Sequence, residues 1–345
     1  MKQNQKIIVT GGCGYIGSHT AIELIENKYQ VVIFDDLSNS SLQTLERIEA
    51  ITGDKPEFVQ VDLKDQNLTK QAFNNHSDAV AVIHFAAYKA VGESVANPLM
   101  YYRNNLSSLI NTLEAQRDLN INAFIFSSSA TVYGTPESLP ITEKSAVQRP
   151  FSPYGNTKKI AEEILEDVVA TDSNFNAISL RYFNPIGAHD SGLIGELPNG
   201  IPNNLMPYIT QTVAGIREKL TVFGNDYPTP DGTPIRDYIH VVDLAKAHVV
   251  ALKRLLENRQ EDNLEYYNLG TGNGYSVMEV IHTFESVTGK SINYEIASRR
   301  EGDVSQLYAS TELVQKKLGW KAKKDLADMI ASSWKWEKNY RDKDN

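Results

Sequence analysis

Hydrophobic and polar positions alternate in a repeating order over the first half of the chain, with short apolar runs followed by longer amphipathic stretches. The short runs are rich in β-branched residues and almost continuously apolar, as in strands that are covered on both faces. We predict six strands, at Lys6–Thr10, Val31–Phe34, Phe58–Val61, Ala79–Phe85, Ala123–Ser127 and Ala177–Tyr182. The helices include Tyr15–Glu26, Leu42–Ile51, Pro98–Leu119 and Pro153–Ala170. Repeated strand–helix units predict an α/β fold with a Rossmann-type doubly wound parallel sheet.

The regular alternation stops after Phe183, where proline and glycine become frequent. Beyond this point we predict further elements, with strands at Arg236–Val241 and Tyr266–Leu269 and helices ending near Leu256 and spanning Ser276–Thr288 and Leu326–Tyr340. We therefore expect a first domain over residues 1–183, to which a strand and helix near 236–258 return. A smaller mixed α/β domain should occupy most of residues 184–345.

Composition narrows the range of partners. The chain has 345 residues, with 43 acidic and 34 basic side chains and a net charge of −9, which argues against a nucleic-acid surface. Its single cysteine, Cys13, excludes an intrachain disulfide and a thiolate metal site, and favours a reducing compartment such as the cytoplasm. The start lacks the apolar core of a secretory signal, and no 18 apolar residues run together. We expect neither export, nor membrane spanning, nor a bound metal.

A glycine turn joins the first predicted strand to the first helix. Gly11, Gly14 and Gly17 permit a tight turn and let a pyrophosphate approach the backbone at the helix N-terminus. Asp35 ends the second strand, 18 residues after Gly17, where its carboxylate can accept hydrogen bonds from the adenosine ribose hydroxyls. This pattern predicts NAD rather than NADP, because a carboxylate repels a 2′-phosphate. Asp62 ends the third strand and could reach the adenine amino group. The alternative is an ordinary turn, with both acids acting only as helix caps.

Three further residues suggest proton-transfer chemistry. Tyr154 and Lys158 lie one helical turn apart on a helix that Pro153 opens, and Ser129 follows the fifth predicted strand. A nearby ammonium and a cationic nicotinamide ring both favour the phenolate. We predict Tyr154 as the base, Lys158 as the charge that tunes it and holds the nicotinamide ribose, and Ser129 as a hydrogen-bond partner of the reacting oxygen. The alternative is an exposed tyrosine and lysine beside a solvated serine loop.

These motifs together resemble the extended short-chain dehydrogenase/reductase family. The resemblance is carried by Gly11–Gly17, by Ser127-Ser-Ser-Ala-Thr-Val-Tyr-Gly134 and by Tyr154-Gly-Asn-Thr-Lys158. Longer blocks are similar to the 4-epimerase branch of that family, whose members interconvert UDP-glucose and UDP-galactose. They are Tyr15–His19, Val82–Ser94, Leu180–His189, Gly200–Tyr208, Phe223–Thr229 and Arg236–Val241. The similarity runs from Ile7 to about Trp336.

The resemblance implies a reaction. In this branch a base removes the proton of the sugar 4-hydroxyl while NAD takes the hydride from C4, which gives a 4-keto sugar. The sugar then rotates about its pyrophosphate and receives the hydride on its other face. NAD remains bound throughout, and Ser129 would act as a proton shuttle. The resemblance also implies a homodimer formed by the helices Pro98–Leu119 and Pro153–Ala170.

The resemblance also implies a set of contact residues. For the cofactor they are Gly11, Gly14, Tyr15, Ile16, Gly17, Asp35, Asp36, Leu37, Asn39, Ser40, Asp62, Leu63, Phe85, Ala86, Ala87, Lys89, Asn104, Ser129, Tyr154, Lys158 and Phe183. For the UDP-sugar they are Lys89, Ser129, Tyr154, Asn184, Asn204, Leu205, Thr221, Val222, Phe223, Arg236, Arg300, Asp303 and Leu307. The two arginines suit a diphosphate, and Asp303 could accept from the uridine ribose hydroxyls.

Two departures from the family pattern affect the details. Asp36 stands where family members often have Asn, and it adds negative charge near the adenosine ribose. Leu307 stands where the family has either Tyr, which narrows the hexose pocket, or a small Cys or Ser, which admits N-acetylated sugars. Leucine is intermediate in size, so we expect UDP-galactose and UDP-glucose as substrates and leave N-acetylhexosamines open.

Two rival functions remain. A nucleotide-sugar 4,6-dehydratase would share the fold and the first oxidation, but its family motif has two acids where this chain has Ala130 and Thr131. A dinucleotide-sensing protein without catalytic activity would tend to lose the tyrosine or lysine that this chain keeps.

Overall fold

The computed structural model describes residues 4–300 and 303–342. Its strands are β1 (Lys6–Thr10), β2 (Gln30–Asp35), β3 (Glu57–Gln60), β4 (Ala79–His84), β5 (Ala123–Ser129), β6 (Asn176–Tyr182), β7 (Asn184–Ile186), β8 (Leu220–Phe223), β9 (Ile235–His240), β10 (Leu264–Leu269), β11 (Gly274–Ser276), β12 (Tyr294–Ala297) and β13 (Gln306–Leu307). Its helices are α1 (Tyr15–Glu26), α2 (Gln43–Thr52), α3 (Gln66–Asn74), α4 (Val91–Ala96), α5 (Pro98–Asp118), α6 (Pro153–Thr171), α7 (Leu205–Val213), α8 (Val241–Leu256), α9 (Val277–Thr288), α10 (Glu312–Leu318) and α11 (Leu326–Asp342).

A seven-stranded sheet forms the centre of the first compact unit. Its strand order is β10-β6-β5-β4-β1-β2-β3, and the pairs β1–β2, β1–β4, β2–β3 and β4–β5 are parallel. The strand order reverses between β1 and β4, and in open sheets of this kind ligands bind outside the carboxyl ends of the strands at that reversal. The predicted Rossmann-type doubly wound fold is confirmed.

Helices cover this sheet because its strands are apolar on both sides. One core cluster joins Ile8 and Val82 of the sheet to Phe73 of α3, Leu109 of α5 and Leu165 of α6, all of them buried. On another side α1 packs on α2. Sequences of this kind fold into layered sheets because each helix buries one apolar face against the strands.

The chain divides into two compact units. Unit 1 comprises Met1–Gly134, Val147–Arg181 and Ala245–Tyr267, and unit 2 comprises Thr135–Ala146, Tyr182–Leu244 and Asn268–Asn345. Unit 2 contains a sheet of β11, β9 and β13, with β7 also paired to β9, and the two-stranded sheet β12–β8. Its core cluster includes Ile209, Phe284, Met329 and Ile330.

The division proposed from the sequence stays a prediction, and two strands lie elsewhere than the sequence pattern suggests. The strand predicted near residue 236 forms β9 in the sheet of unit 2, whereas the helix after it, α8, belongs to unit 1 from Ala245 onward. The strand predicted at Tyr266–Leu269 is β10, which extends the large sheet beside β6. Both differences arise because strand pairing across long sequence separations is not encoded in local periodicity. Within the described ranges, every helix is too short or too polar to span a lipid bilayer.

Candidate active site

The glycine turn lies where the strand order of the large sheet reverses. Gly11 follows β1 with φ +66°, and a Cβ at this position would lie 2.7 Å from the backbone nitrogen of Ala86, which follows β4. A Cβ at Gly17 would lie 2.4 Å from the Gly11 carbonyl oxygen. Gly14 is the N-cap of α1, and a Cβ there would meet only that same oxygen, at 3.2 Å. The turn is therefore closed by backbone on one side and open at the helix N-terminus, which fits a pyrophosphate.

Asp35 ends β2 beside this turn and is buried. Its Oδ1 accepts hydrogen bonds from the Leu37 amide at 2.9 Å and from the Ser40 hydroxyl at 2.7 Å, while Oδ2 accepts from the Cys13 amide at 3.0 Å. Burial raises the pKa of Asp35, and these three donors oppose the rise. A carboxylate offers about four acceptor positions, so one remains for a ribose hydroxyl. The donor and acceptor chemistry of the turn and this acid thus fits NAD.

The other predicted cofactor residues follow the carboxyl ends of neighbouring strands. Asp36, Leu37, Asn39 and Ser40 follow β2, Asp62 and Leu63 follow β3, and Phe85, Ala86, Ala87 and Lys89 follow β4. Tyr15 and Ile16 open α1, and Asn104 lies in α5. Unit 1 thus places these residues at one edge of its sheet. Phe183 belongs to unit 2.

A chain of hydrogen bonds connects Asp62 to helix α6. Its carboxylate lies 3.2 Å from the Lys64 ammonium, which donates to Asn104 at 3.2 Å. Asn104 donates to Asn105 at 3.0 Å, and Asn105 donates to the Thr157 hydroxyl at 3.0 Å. The predicted role of Asp62 as an adenine contact stays a prediction, since its charge is already paired with a lysine.

The Ser129 hydroxyl lies next to the phenol of Tyr154, close enough to lower the pKa of that phenol. Ser129 is the last residue of β5, and α6 begins one residue before Tyr154, with the hydroxyl of Ser152 capping it by accepting from the Gly155 amide at 3.1 Å. The Ser129 hydroxyl oxygen accepts from the Thr131 amide at 3.2 Å and from the Thr131 hydroxyl at 3.0 Å. Its own proton is thereby directed to the phenol oxygen of Tyr154.

Lys158 is buried one turn further along α6. Its ammonium donates to the carbonyl of Ser127 at 2.6 Å and lies 6.0 Å from the centroid of the Tyr154 ring. Burial lowers the pKa of Lys158 to about 7, although the nearby carboxylate of Glu162 opposes this. The structure therefore brings the three predicted catalytic residues together in unit 1.

The electrostatics of the tyrosine differ from the sequence-based expectation. Burial raises the pKa of Tyr154 to about 12, and only the hydrogen bond from Ser129 acts in the opposite direction. In this arrangement the loss of hydration outweighs any benefit from Lys158, because the lysine ammonium is held on the Ser127 carbonyl rather than on the phenol. Burial thus favours the neutral form of both groups.

Unit 2 brings several of the predicted UDP-sugar residues together. Arg236 of β9 forms an ion pair with Asp303 at 3.2 Å, and Leu307 of β13 is the register partner of Arg236. The guanidinium of Arg300 lies over the Phe223 ring, 4.1 Å from its centroid. The result is a group of two cations, an acid and an aromatic ring within one unit.

The remaining predicted UDP-sugar residues of unit 2 lie on several other elements. Thr221 and Phe223 are partly exposed on β8, whereas Val222 is buried in the core, so only its backbone could meet a ligand. Asn184 begins β7 and pairs in register with Tyr238. Asn204 is the N-cap of α7 and donates to Glu196 at 2.7 Å, and Leu205 is the first residue of that helix.

Comparison with known proteins agrees with this arrangement. Residues 8–333 match a family model described as GDP-mannose 4,6 dehydratase. A UDP-glucose 4-epimerase of Bacillus subtilis (strain 168) is 51% identical over 331 residues, which cover 96% of both chains. The chain belongs to the UDP-glucose 4-epimerase family. A solved UDP-glucose 4-epimerase of Stenotrophomonas maltophila, with bound NAD and formylated UDP-arabinopyranose, is similar with a TM-score of 0.95 and 46% identity, covering 99% of this chain and 100% of that one. Another, of Bifidobacterium longum in complex with NAD+ and UDP, has a TM-score of 0.93 and 47% identity over 98% and 99% of the two chains.

Sequence reasoning missed two buried charges next to the candidate catalytic residues. Glu162 and Arg181 form an ion pair at 2.8 Å with both side chains buried. The available signals were a carboxylate four residues after Lys158, on the helix face that carries the candidate catalytic residues, and an arginine inside the apolar run of β6. Charged residues are rarely buried unless they are paired, so a charge at either of these positions predicts a buried partner of opposite charge.

Proposed function

We propose that this protein catalyses the reversible, NAD-dependent 4-epimerisation of UDP-galactose and UDP-glucose. The observation that carries the proposal is the grouping of Ser129 next to Tyr154, with Lys158 one turn away on the same helix, in a chain that belongs to this family. These groups supply proton transfer, whereas a nucleotide-sensing protein has no need of them. The single cysteine is compatible with a reducing compartment such as the cytoplasm.

The cofactor would be held by unit 1. The glycine turn at Gly11, Gly14 and Gly17 suits the pyrophosphate, and Asp35 suits the adenosine ribose. When bound there, NAD supplies the acceptor for the hydride from C4 of the hexose and a positive charge that favours the phenolate. Lys158 uses one of its three N–H donors on the Ser127 carbonyl and would hold the nicotinamide ribose with another.

The proton steps belong to two side chains. As a phenolate, Tyr154 accepts a proton at its phenol oxygen, and Ser129 acts as the shuttle by giving its own hydroxyl proton to Tyr154 and taking the proton of the sugar 4-hydroxyl in its place. To take up the sugar proton the Ser129 oxygen needs a free lone pair, so the bond from the Thr131 hydroxyl gives way to the sugar oxygen while the bond from the Thr131 amide keeps the serine in place. In the reverse step the same tyrosine returns the proton to the oxygen on C4.

The nucleotide of the substrate would bind to residues of unit 2. Arg300 and Arg236 match a diphosphate in charge, Phe223 offers an aromatic face to uracil, and Asp303 can accept from ribose hydroxyls. The Arg236–Asp303 ion pair holds both side chains in place before binding. Such preorganisation lowers the entropic cost of binding a charged ligand.

A second candidate substrate class depends on Leu307. This residue is partly buried and paired in register with Arg236, so its size bears on the space beside a proposed diphosphate contact. We propose that N-acetylated UDP-hexosamines are accepted more weakly than UDP-glucose. One or two missing methylene groups in a pocket change selectivity by about 1–3 kcal/mol.

We further propose that the protein forms a homodimer through α5 and α6. On α5, Leu109 and Leu113 are buried in the core of unit 1, whereas Ile110 is 41% exposed. On α6, Ile160 is only partly buried. Apolar residues left on the outer faces of two adjacent helices are typical of a subunit contact.

The proposal is tested by proton NMR of UDP-galactose incubated with the purified protein and no added NAD. Growth of UDP-glucose anomeric signals to a stable mixture is the expected result, and it would demonstrate 4-epimerisation with retained NAD. A new 6-deoxy methyl signal would instead support the 4,6-dehydratase. An unchanged spectrum, also with added NAD and with N-acetylated or pentose UDP-sugars, would support a protein without catalytic activity.

A further inference from the structure

A buried carboxylate, that of Glu162, lies one helical turn after Lys158 on α6. Glu162 on α6 accepts three hydrogen bonds at Oε1, from the Ser128 hydroxyl at 2.6 Å, the Ser179 hydroxyl at 2.7 Å and the Arg181 Nε at 2.9 Å. Its Oε2 accepts from the Arg181 guanidinium at 2.8 Å. One side chain of α6 is thereby bonded to both β5 and β6.

Arg181 completes this cluster within unit 1. Its guanidinium also donates to the Tyr133 hydroxyl at 2.9 Å and lies 4.4 Å from the centroid of the Tyr266 ring. Although burial opposes the charge, the neighbouring Glu162 raises the pKa of Arg181, so the guanidinium stays charged. A buried ion pair is often no more stabilising than apolar residues of the same volume, and its best-supported use is to fix one arrangement of neighbouring elements.

The arrangement fixed here is that of β5 against α6. Three successive turns of α6 carry Tyr154, Lys158 and Glu162 on one face. Each meets a different member of the three consecutive serines that end β5: Tyr154 lies next to Ser129, Lys158 donates to the Ser127 carbonyl and Glu162 accepts from the Ser128 hydroxyl. Two of these three contacts involve proposed catalytic residues. The third joins the same two elements through Ser128, the serine between the other two.

We propose that Glu162 and Ser128 are positioning residues that set the register of the β5 serines against α6. Loss of the Ser128–Glu162 bond lets the end of β5 shift, and the Ser129 hydroxyl then no longer stays aligned on the Tyr154 phenol. This role rests on the proposed epimerase function, because the alignment matters only if Ser129 and Tyr154 transfer a proton. Displacements of about 1 Å at reacting groups reduce rates by as much as ~100-fold.

The chain offers a matched control. Ser179 donates to the same oxygen of Glu162 at 2.7 Å and is likewise buried, but it lies on β6, which contains none of the predicted site residues. Ser128→Ala and Ser179→Ala each remove one hydroxyl bond to Glu162. Both substitutions should lower the melting temperature by similar amounts. If the role of Ser128 is purely structural, the two variants should also lose similar amounts of kcat.

The experiment measures kcat and KM for UDP-galactose in the wild type and in both variants, together with their melting temperatures. We expect Ser128→Ala to reduce kcat about tenfold or more with KM within about twofold, and Ser179→Ala to leave kcat within about twofold. Ser128→Thr restores the hydroxyl and should recover most of the lost kcat. Equal losses in both alanine variants, or no recovery with threonine, would overturn the positioning role and leave the epimerase function intact. An inactive wild type would overturn both.

Discussion

The ammonium of Lys158 donates a 2.6 Å hydrogen bond to the backbone carbonyl of Ser127. This bond joins α6 to the end of β5 where Ser129 also meets Tyr154. The lysine is therefore held by the strand, 6.0 Å from the tyrosine ring centroid, rather than directly on the phenol. In the proposed chemistry this arrangement separates two tasks: Ser129 would align the phenol, and Lys158 provides a nearby amine whose pKa burial lowers to about 7.

Replacing Tyr154 by phenylalanine should remove catalysis and keep the fold. The substitution deletes only the hydroxyl, and a proton-transferring side chain contributes about 100- to 10,000-fold to a rate. We expect kcat to fall within that range while the circular dichroism spectrum and bound NAD are retained. Turnover close to wild type would show that another group is the base.

Replacing Lys158 by methionine should stabilise the folded protein at low pH. Burial lowers the pKa of Lys158 to about 7 from the ordinary 10.5, so below pH 7 the folded state carries a buried ammonium at full cost. Between these two values the unfolded chain binds the extra proton, and the free energy of unfolding of the wild type rises with pH relative to the variant.

This change is measured by urea denaturation of both proteins at pH 6 and pH 9. The variant should be the more stable at pH 6, and the difference should shrink at pH 9. A difference that does not vary with pH would contradict the lowered pKa. The same variant should lose most of its kcat, since it lacks the ammonium proposed to hold the cofactor ribose.

Gly17→Ala should disrupt the glycine turn. The added Cβ would lie 2.4 Å from the Gly11 oxygen and 2.9 Å from the Gly12 Cα, both backbone atoms that cannot move independently. We expect destabilisation of about 2 kcal/mol or more and loss of co-purifying NAD, measured by thermal unfolding and nucleotide release. Gly92→Ala is the control, because a Cβ there meets no atom within 4 Å. NAD retention by Gly17→Ala would argue against the turn as the pyrophosphate site.

Leu307 should control acceptance of N-acetylated sugars. Leu307→Ser enlarges the space beside Arg236, whereas Leu307→Tyr reduces it. We expect the ratio of kcat/KM for UDP-N-acetylglucosamine over UDP-glucose to rise about tenfold in the first variant and to fall by a similar factor in the second. Equal ratios in all three proteins would place the selectivity elsewhere.

Ile110→Asp should convert the proposed dimer into monomers. This residue is 41% exposed on α5, and a charge there would have to be buried without a partner in the subunit contact. Light scattering should show half the wild-type mass. Ile216→Asp is the control, since Ile216 is 48% exposed in unit 2. A monomeric wild type would rule out the assembly.

Much of unit 1 could be predicted because local signals agree there. Helix α1 spans the predicted residues, and β1 does as well. Helix α3 was missed although Asp65 caps it by accepting from the Asn67 and Leu68 amides at 2.9 and 3.0 Å. Its nine residues carry few large apolar side chains, so the helical period is weak.

Unit 2 was less accessible to sequence reasoning. Helix α7 contains Pro207, and strands β7, β11 and β13 have only two or three residues each. Neither the helical nor the strand period of hydrophobic residues is therefore visible in these segments. The positions of these three strands depend on pairing with β9 across long sequence separations. The Arg236–Asp303 ion pair and the raised pKa of Tyr154 likewise depend on burial and proximity, which only tertiary structure sets.

The most direct test of the proposed chemistry uses UDP-galactose that carries deuterium at C4 of the hexose. Oxidation and re-reduction at C4 with retained NAD return the same hydride to the sugar, so the UDP-glucose formed should keep its deuterium at C4 in ordinary water. Mass spectrometry and proton NMR of the product measure this retention. Loss of the label to solvent would contradict the account, because it would require a proton-transfer route at carbon that does not pass through NAD.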